Sequence, residues 1–434
     1  MLVDRRNFLF QAGASIAAAT MSVSGHEPGP NAPDEPGDWR WVRAQFDQLS
    51  PDHIHLSSFF LVSHPLPVRE AIERHRRSID VDPFSYVEAN LETMPAKIHA
   101  SAAEYLGGRP DEVAITNSTT MGLALVYHGL PLAEGHEVLT TEHDHFVHHE
   151  AIRLAAERAG ATFKKVALFD DIRRVSQDEI VARINKAITA RTRVVGVTWV
   201  HSSTGLKLPI RAIADVIAAA NTRRADGDRI LLVVDGVHGF GVEDEKAAEM
   251  GADIFIAGTH KWMFGPRGTG IVWAKAETWK QLRMIFPAFA AETFGAWASN
   301  SKLTAPMRAS WIGQGGFHAF EYEWALPAAF EFHKKIGRSR IAKRIHDLND
   351  LCKQGLAATP KVKLYTPLGS SLSSGLICFD IEGMNSREVV ARLHAKKVIA
   401  STSPYRESYA RLAPSLLNTP EEVETTLEHI RALT

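Results

Sequence analysis

The stretch ILLVVDGVHGFG, residues 230–241, joins a continuous apolar run to an acidic residue and a glycine-rich turn. A branched aliphatic run without polar alternation is typical of a strand that is buried on both faces of a sheet. Amphipathic, helix-like stretches separate it from further apolar runs at residues 112–116, 136–141, 194–200, 253–258 and 270–274. This alternation predicts an α/β fold, with a mostly parallel sheet covered by helices on both faces.

The pattern changes after residue 320, where amphipathic helices surround the strand-like run SGLICFDI, residues 374–381. We therefore predict a large domain over residues 96–320 and a smaller C-terminal α+β domain over residues 321–434. Residues 39–95 are mixed in character and are expected to pack on both domains. The sequence shows no internal repeat and no run that predicts a transmembrane helix.

Residues 1–38 differ from the rest of the chain. Arg5-Arg6-Asn7-Phe8-Leu9 precedes a moderately apolar, alanine-rich stretch and resembles a twin-arginine export signal. The apolar part is too short to span a bilayer stably, and the four prolines within residues 26–38 indicate a linker. These features predict passage through the twin-arginine export machinery to the periplasm, with no stable membrane span after processing.

The overall composition excludes some kinds of partner. The 434 residues carry a formal net charge of −1 and are 45% hydrophobic, which gives no general attraction to nucleic acid or to an anionic membrane. The two cysteines, Cys352 and Cys378, show no CxxC spacing, so neither a disulfide framework nor a zinc site is expected. A single bridge between them remains open.

Two residues with unusual chemistry follow neighbouring predicted strands. Asp235 directly follows ILLVV, and Lys261 lies in FIAGTHKWMFGPRGTG, residues 255–270, at the end of another apolar run. Ligands of doubly wound sheets bind beyond the carboxyl ends of the strands, where His238 and His260 are also expected. A lysine in such a crevice forms either an ion pair or a Schiff base with a carbonyl.

Two further polar stretches follow predicted strands. Ser118, Thr119 and Thr120 precede a helix-like run, where their hydroxyls could cap the helix or bind an anion. Residues 142–150, EHDHFVHHE, form a histidine-rich tract, which suggests a metal site or an imidazole that stacks on an aromatic ligand. The tract does not match the HExxH zinc motif.

In combination, three stretches resemble a known family: VVDGVHGFG (233–241), GTHKW followed by GPRGTG (258–270) and RLAPSLLNTPEEV (411–423). They are similar to the fold-type I pyridoxal-phosphate enzymes, specifically the class V aminotransferase family with its cysteine desulfurases and isopenicillin N epimerase-like proteins. The resemblance covers roughly residues 50–434. It implies an enzyme of this fold that uses pyridoxal 5′-phosphate, acts on a small amino substrate and forms a homodimer.

The resemblance also implies roles for individual residues. Lys261 would carry the cofactor covalently, and Asp235 would pair with the protonated pyridine nitrogen, which makes the ring an electron sink. Arg411 would bind the substrate carboxylate. The remaining implied contacts are those of Ser118, Thr119, Thr120 and His260 with the phosphate, of His143 with the ring face (His145 being a second candidate), of Ser202 with the ring hydroxyl, and of His238 with the ring. No metal is implied.

Two departures from the family pattern are visible. Relatives often use a Gly-Thr pair to reach the partner subunit's phosphate, but residues 311–316, WIGQGG, contain no threonine. No cysteine lies in a loop suited to desulfurase chemistry, so a persulfide-forming enzyme is not expected. The export signal together with an epimerase-like body is similar to the periplasmic enzymes that mature the siderophore pyoverdine.

The sequence leaves several alternatives open. Transamination, epimerisation, decarboxylation and elimination are all compatible with this cofactor. The histidine tract, residues 143–149, could instead serve a metal-dependent hydrolase. A non-catalytic binding protein on the same fold is a third possibility.

Overall fold

A computed structural model of the protein describes residues 38–312, 316 and 318–434. Its helices are α1 (Trp39–Ala44), α2 (Leu66–Val81), α3 (Pro83–Asn90), α4 (Thr93–Leu106), α5 (Thr119–Gly129), α6 (Phe146–Ala159), α7 (Gln177–Ala187), α8 (Ile210–Asn221), α9 (Ala276–Gln281), α10 (Ala291–Ala298), α11 (Phe320–Glu323), α12 (Leu326–Ile336), α13 (Arg338–Ala357), α14 (Ser386–Ala395) and α15 (Pro420–Arg431). Its strands are β1 (Ile54–His55), β2 (Val113–Thr116), β3 (Glu137–Thr141), β4 (Thr162–Val166), β5 (Thr192–Thr198), β6 (Leu231–Asp235), β7 (Ile254–Gly258), β8 (Gly270–Ala274), β9 (Val362–Leu364), β10 (Ile377–Ile381), β11 (Val398–Ile399), β12 (Ser401–Thr402) and β13 (Ala410–Leu412).

The central sheet has seven strands in the order β2-β8-β7-β6-β5-β3-β4. Only β8 runs antiparallel to its neighbours, and the other pairs are parallel. The predicted α/β class with a mostly parallel sheet is therefore confirmed. The strand register places Thr198 of β5 beside Asp235 of β6, and Asp235 beside Ile256 of β7. The carboxyl ends of these three strands consequently meet at one edge.

Alternating side chains of the buried strands fill two hydrophobic cores, one on each face of the sheet. In β6, Leu232 and Val234 belong to one core, whereas Val233 belongs to the other. Because successive strand residues point to opposite faces, a strand covered on both sides needs apolar residues throughout. This requirement explains the unbroken aliphatic run that identified β6 in the sequence.

The edge strand β4 is absent from the sequence prediction. Its residues TFKKV are partly exposed, and Lys164 and Lys165 face solvent. Charged residues on an edge strand discourage pairing with other chains, but they also remove the hydrophobic signal by which a strand is recognised.

Local capping sets the limits of the helices that flank the site. The Ser118 hydroxyl accepts a hydrogen bond from the Met121 amide at 3.2 Å and thereby starts α5. Gly160 ends α6 with φ of 67°, a left-handed conformation that favours glycine. α5 follows β2 and α6 follows β3 after a few residues, so both helices start at the carboxyl ends of these strands.

The C-terminal part contains a four-stranded antiparallel sheet in the order β12-β13-β10-β9. Helices α13, α14 and α15 cover it and share one hydrophobic core with its strands. The predicted strand at residues 374–381 corresponds to β10. The short strand β13, which carries Arg411, pairs with β10 and was not predicted as a strand.

The segment before the large domain contacts the C-terminal part of the chain and the loop between β7 and β8, which carries Lys261. β1 pairs in parallel with β11, with Ile54 opposite Val398. Phe46 and Phe59 share a hydrophobic core with Trp262 and other residues. Cys352 and Cys378 are both buried and free, so the bridge that the sequence left open is not formed. Among the described residues, no helix has the length and apolar character needed to cross a membrane.

Candidate active site

The loop between β7 and β8 holds Lys261 in a fixed turn. The amide of Thr259 donates to the carbonyl oxygen of Thr269 at 3.2 Å, and the two threonine hydroxyls hydrogen-bond at 2.5 Å. Within the loop, the Phe264 amide donates to the carbonyl oxygen of Lys261 at 2.9 Å, and Phe264 adopts a φ of 52°. A non-glycine residue in this region is strained and is kept there only by its surroundings, here the buried packing of the Phe264 ring. Lys261 therefore has a rigid base.

The charges of Asp235 and Lys261 influence each other at this edge of the sheet. Asp235 is buried, and its Oδ1 accepts a hydrogen bond from the Val237 amide at 3.1 Å. Burial raises the pKa of Asp235, an effect that the Val237 amide and the charge of Lys261 partly offset. Burial lowers the pKa of Lys261; the charge of Asp235 opposes this shift and that of Arg411 adds to it. A lysine amine with a lowered pKa is a competent nucleophile toward a carbonyl.

Two histidine rings lie near this pair. Burial lowers the pKa of His238 well below its usual range, and the charges of Lys261, Arg411 and His145 lower it further. The pKa of His145 is also lowered, first by burial and then by Lys261 and Arg411. The buried Nδ1 of His238 has no hydrogen-bond partner among the described residues, and its ring packs edge-on against Phe59 at 6.3 Å. His238 and His145 are thus neutral rings beside the lysine.

His143, the first candidate for the ring face, has neighbours different from those of His145. Its ring stacks on Phe169, with a centroid distance of 4.2 Å and an interplanar angle of 10°, and its Nε2 accepts a hydrogen bond from the Leu168 amide at 3.4 Å. His145 instead packs edge-on against Tyr405 at 6.0 Å, and Lys261 and Arg411 influence its pKa. The structure therefore places the second candidate, His145, together with Lys261, Asp235 and His238, which we call the lysine group.

The opposite end of the site lies at the start of α5. The buried Oγ1 of Thr119 has no hydrogen-bond partner among the described residues, whereas the Ser118 hydroxyl is occupied as the helix cap and Thr120 is exposed. A Cβ on Gly258 would lie 3.0 Å from Thr119 Oγ1 and 2.8 Å from Cε1 of His260. The threonine hydroxyl and the imidazole thus converge on one glycine at a helix N-terminus, a geometry that suits an anion.

Arg411 reaches the site from the C-terminal sheet. Its side chain is buried and donates to Ser401 Oγ at 3.3 Å, to the Ser202 carbonyl oxygen at 3.1 Å and to the Thr402 carbonyl oxygen at 2.9 Å. The guanidinium lies 4.5 Å from the centre of the Phe59 ring. These acceptors are all neutral, and no described carboxylate pairs with Arg411 within 4 Å. Burial lowers its pKa.

Tyr405 and Phe59 were missed by the sequence analysis. The Tyr405 hydroxyl hydrogen-bonds the Ser202 hydroxyl at 2.6 Å, which makes Tyr405 the partner of the serine assigned to the ring hydroxyl. Phe59 packs under both Arg411 and His238. Neither residue lies in a recognisable motif, because each reaches the site from a segment distant in sequence.

The histidine tract does not form a single cluster. His148 hydrogen-bonds the Tyr127 hydroxyl at 2.7 Å, and His149 donates to the Thr141 carbonyl oxygen at 2.8 Å. His143 and His145 have the separate partners described above. Within the described part of the chain, no group of three or more His, Cys, Asp or Glu residues is arranged to hold a metal ion.

Comparison with known proteins identifies the family. The model of the family described as aminotransferase class-V matches residues 85–404. The chain belongs to the class V aminotransferase family. It is 25% identical to an isopenicillin N epimerase of Streptomyces clavuligerus over 416 residues, covering 92% of this chain and 98% of that protein. It is also 25% identical to a probable cysteine desulfurase of Halalkalibacterium halodurans over 357 residues, covering 79% and 81%.

Solved structures show the same fold. The cystine C–S lyase C-DES in complex with its product cysteine persulfide has a TM-score of 0.78 at 21% identity, covering 89% of this chain and 99% of that chain. A C-DES mutant with glycine covalently linked to its pyridoxal-phosphate cofactor has a TM-score of 0.79 at 20% identity, covering 90% and 98%. This likeness confirms the predicted fold-type I architecture. Membership of the class V aminotransferase family confirms the enzyme class and the pyridoxal-phosphate cofactor.

The side chains of this class V enzyme fit pyridoxal phosphate. The unpartnered Thr119 Oγ1 and the His260 ring at the N-terminus of α5 suit the phosphate. Asp235 suits the ring nitrogen, and Lys261 suits the aldehyde. The unpartnered Nδ1 of His238 is a further polar atom that a ligand in this crevice can satisfy.

Proposed function

We propose that this class V enzyme acts at the amino-bearing carbon of an amino acid or an amino-acid derivative, whose carboxylate is bound by Arg411. The observation that carries the proposal is the environment of the Arg411 guanidinium, which is buried beside the lysine group with only neutral acceptors among the described residues. A buried cation without a counterion is costly. A carboxylate from the substrate would neutralise it.

The side chains divide the work in a consistent way. Pyridoxal phosphate supplies a carbonyl that captures the substrate amine and a ring that accepts electrons from the neighbouring carbon. Asp235 keeps a proton at the ring nitrogen, and Arg411 orients the substrate by its carboxylate. Lys261, whose pKa is lowered by burial, holds the cofactor and can then carry a proton to or from the reacting carbon.

A persulfide-forming reaction finds no support in the two cysteines. Cys352 and Cys378 are buried, and burial raises the pKa of each thiol to about 12. The thiolate is the reactive form, so a thiol with a raised pKa in an apolar core is a poor nucleophile. This supports chemistry on the amino-acid carbon without a protein-bound sulfur.

The proposal is tested with the loaded enzyme and matched pairs of amino acids and their decarboxylated amines. Amino acids should change the visible absorption of the cofactor at concentrations at which the amines do not. Analysis of the products then distinguishes transamination, epimerisation, decarboxylation and elimination. Equal responses to both members of every pair would contradict a carboxylate site.

A peptide-linked substrate is the finer form of the proposal. A groove of about 1190 Å³ on the C-terminal domain is lined by Tyr405, whose hydroxyl contacts Ser202. Its charged lining consists of Lys361, Lys363, Arg387, Arg406, Asp380 and Glu382. This volume exceeds the needs of a free amino acid, and the excess of basic residues suits an acidic peptide such as a siderophore precursor.

The peptide proposal predicts a selective defect. Joint replacement of Arg387 and Arg406 by glutamine should raise KM for an acidic peptide that carries the reacting residue and leave KM for the free amino acid unchanged. A parallel change for both substrates would argue against the groove as a binding surface.

We also propose that the enzyme is exported by the twin-arginine pathway and works in the periplasm. The residues concerned, Arg5 and Arg6, lie outside the described residues. Because that pathway carries folded proteins, the cofactor can be loaded in the cytoplasm before transport. Replacement of both arginines by lysine should leave yellow, loaded protein in the cytoplasm. Normal export of this variant, seen by fractionation, would refute the twin-arginine assignment.

A homodimer is the proposed assembly. Phe289, just before α10, and Trp297, within α10, are 71% and 75% exposed in the single chain. The exposure of such large apolar side chains suits a subunit interface. Light scattering of the loaded enzyme should give twice the mass of one chain. A monomer at micromolar concentration would contradict this assembly.

A further inference from the structure

A second carboxylate is buried close to Asp235. Asp144 follows β3 and is fully buried. Its Oδ2 accepts hydrogen bonds from Thr140 Oγ1 and from the Thr141 amide, both at 2.8 Å, and its Oδ1 accepts one from the Thr198 amide at 2.7 Å. Three donors thus converge on one side chain. Two of them are backbone N–H groups, which can only donate and therefore favour the ionised carboxylate.

Asp144 and Asp235 are linked through β5. Thr198 lies opposite Asp235 in the strand register and donates its amide to Asp144. The next residue, Trp199, donates its amide to the carbonyl oxygen of Asp235 at 2.8 Å. The two acids therefore flank one strand end, and each influences the site at the same edge of the sheet.

The titratable groups around Asp144 come from several elements. α6 contributes His148, with Nδ1 at 3.9 Å, and the segment after β5 contributes His201, with Nε2 at 3.7 Å. The other groups that its charge influences are His143, His149, Tyr127, Tyr405 and Asp235. No lysine or arginine of the described chain lies within 4 Å of its carboxylate.

The negative charge of Asp144 is preserved in this setting. Burial by itself raises the pKa of a carboxyl group, but the interactions with His201, His148 and Thr198 outweigh it and bring the pKa of Asp144 well below its usual value. Burial lowers the pKa of His148 to about 4, and the charge of Asp144 opposes this shift.

We propose that Asp144 is a positioning residue of the cofactor site, whose fixed negative charge acts with Asp235 to keep the ring nitrogen of pyridoxal phosphate protonated. A negative charge behind a carboxylate increases the proton affinity of that carboxylate and of the group with which it shares a proton. A ring nitrogen that keeps its proton is the better electron sink. In the competing interpretation, Asp144 has only a structural role: its hydrogen bonds hold the turn that follows β3 against the end of β5.

The decisive measurement is the pH dependence of the visible absorption of the loaded, full-length enzyme. Because removal of a nearby negative charge disfavours a bound proton, Asp144→Asn should lower the spectroscopic midpoint by about one pH unit, a tenfold change in proton affinity. The dissociation constant of the cofactor, measured by dialysis, should rise in the same variant.

A control variant separates the effect of the charge of Asp144 from the effect of its hydrogen bonds. Thr140→Val removes one hydrogen bond to Asp144 but retains its charge, so it should lower the thermal midpoint of unfolding and leave the spectroscopic midpoint in place. In the double variant with Asp235→Asn, the shift should be smaller than the sum of the single shifts, because the two acids act on the same proton.

Three results would overturn the proposal. One is an unchanged spectroscopic midpoint in folded, loaded Asp144→Asn. Another is an equal shift in Thr140→Val. The third is failure of both Asp144→Asn and Asp144→Ser to fold. Asparagine retains the shape and one acceptor oxygen, so such a failure would assign Asp144 a structural role alone.

Discussion

Replacement of Arg411 by glutamine tests the substrate site most directly. Arg411 is 6% exposed, and its guanidinium donates to one hydroxyl and two carbonyl oxygens. A guanidinium has five N–H donors, so two remain for a ligand. Glutamine keeps a donor in the same region but removes the charge and the forked geometry that a carboxylate prefers.

The expected magnitude follows from the burial of the pair. Truncating one partner of a desolvated, hydrogen-bonded charge pair costs about 2–5 kcal/mol, which corresponds to a roughly 30- to 4000-fold weaker interaction. The free protein should change less, because the lost hydrogen bonds are offset by the release of a buried charge that has no described counterion. Arg411→Gln should therefore remain folded and bind cofactor normally.

The assay compares an amino acid with its decarboxylated amine, using the absorption change of the loaded enzyme to obtain each dissociation constant. The variant should lose affinity for the amino acid by the stated factor and for the amine by less than about threefold. Arg392→Gln is the matched control, since it removes the same charge from an exposed ion pair with Glu388 at 2.9 Å. Equal losses for both ligands, or an amino-acid affinity like that of the wild type, would refute the carboxylate assignment.

Further predictions concern Lys261, its acid partner Asp235 and the buried Lys353 of α13. Borohydride reduction should leave a pyridoxyl group on Lys261, found by peptide mass analysis; Lys261→Ala should bind cofactor without the covalent link and lose turnover, whereas the exposed Lys275→Ala should behave as wild type. Since the pKa of Lys261 is lowered, its amine is neutral at a lower pH than that of an exposed lysine. The rate of cofactor loading should therefore rise with pH and level off well below about 10.4; a profile centred there would contradict the shift. Asp235→Ala should cut turnover at least about 100-fold, and full activity would exclude its role at the ring nitrogen. Lys353→Met removes bonds to the Leu368 carbonyl oxygen at 2.7 Å and to Ser373 Oγ at 2.6 Å and should destabilise the fold by about 1–3 kcal/mol in urea unfolding; unchanged stability would contradict this.

Much of the fold was legible from local patterns. The buried strands β2, β3, β5, β6, β7 and β8 are all visible as apolar runs, because a strand covered on both faces must be apolar throughout. β4 and β13 were missed for opposite reasons: β4 is an exposed edge rich in lysine, and β13 has only three residues. Their strand conformation depends on pairing with β3 and β10, which local sequence does not encode.

Part of the site could also be read in advance. Lys261 and Asp235 stand out because a charged residue directly behind a buried strand needs a partner or a task, and the parallel sheet brings strand ends together. Asp144 satisfies the same criterion and was passed over, since the histidines around it drew attention to metal binding. The signal for a second carboxylate was therefore present in EHDH, residues 142–145.

By itself, the sequence determined the fold class and the family, and it singled out Lys261 and Asp235 as the candidate cofactor lysine and its acid partner, because these features depend on hydrophobic periodicity and on residues close to one another in the chain. Only the tertiary structure decided that His145 rather than His143 lies with Lys261, that Thr119 rather than Ser118 has a free hydroxyl, and that Arg411 has no described counterion. Such distinctions depend on side-chain direction, burial and distant partners such as Tyr405 and Phe59. These are set when separate segments pack together, and no local pattern records them.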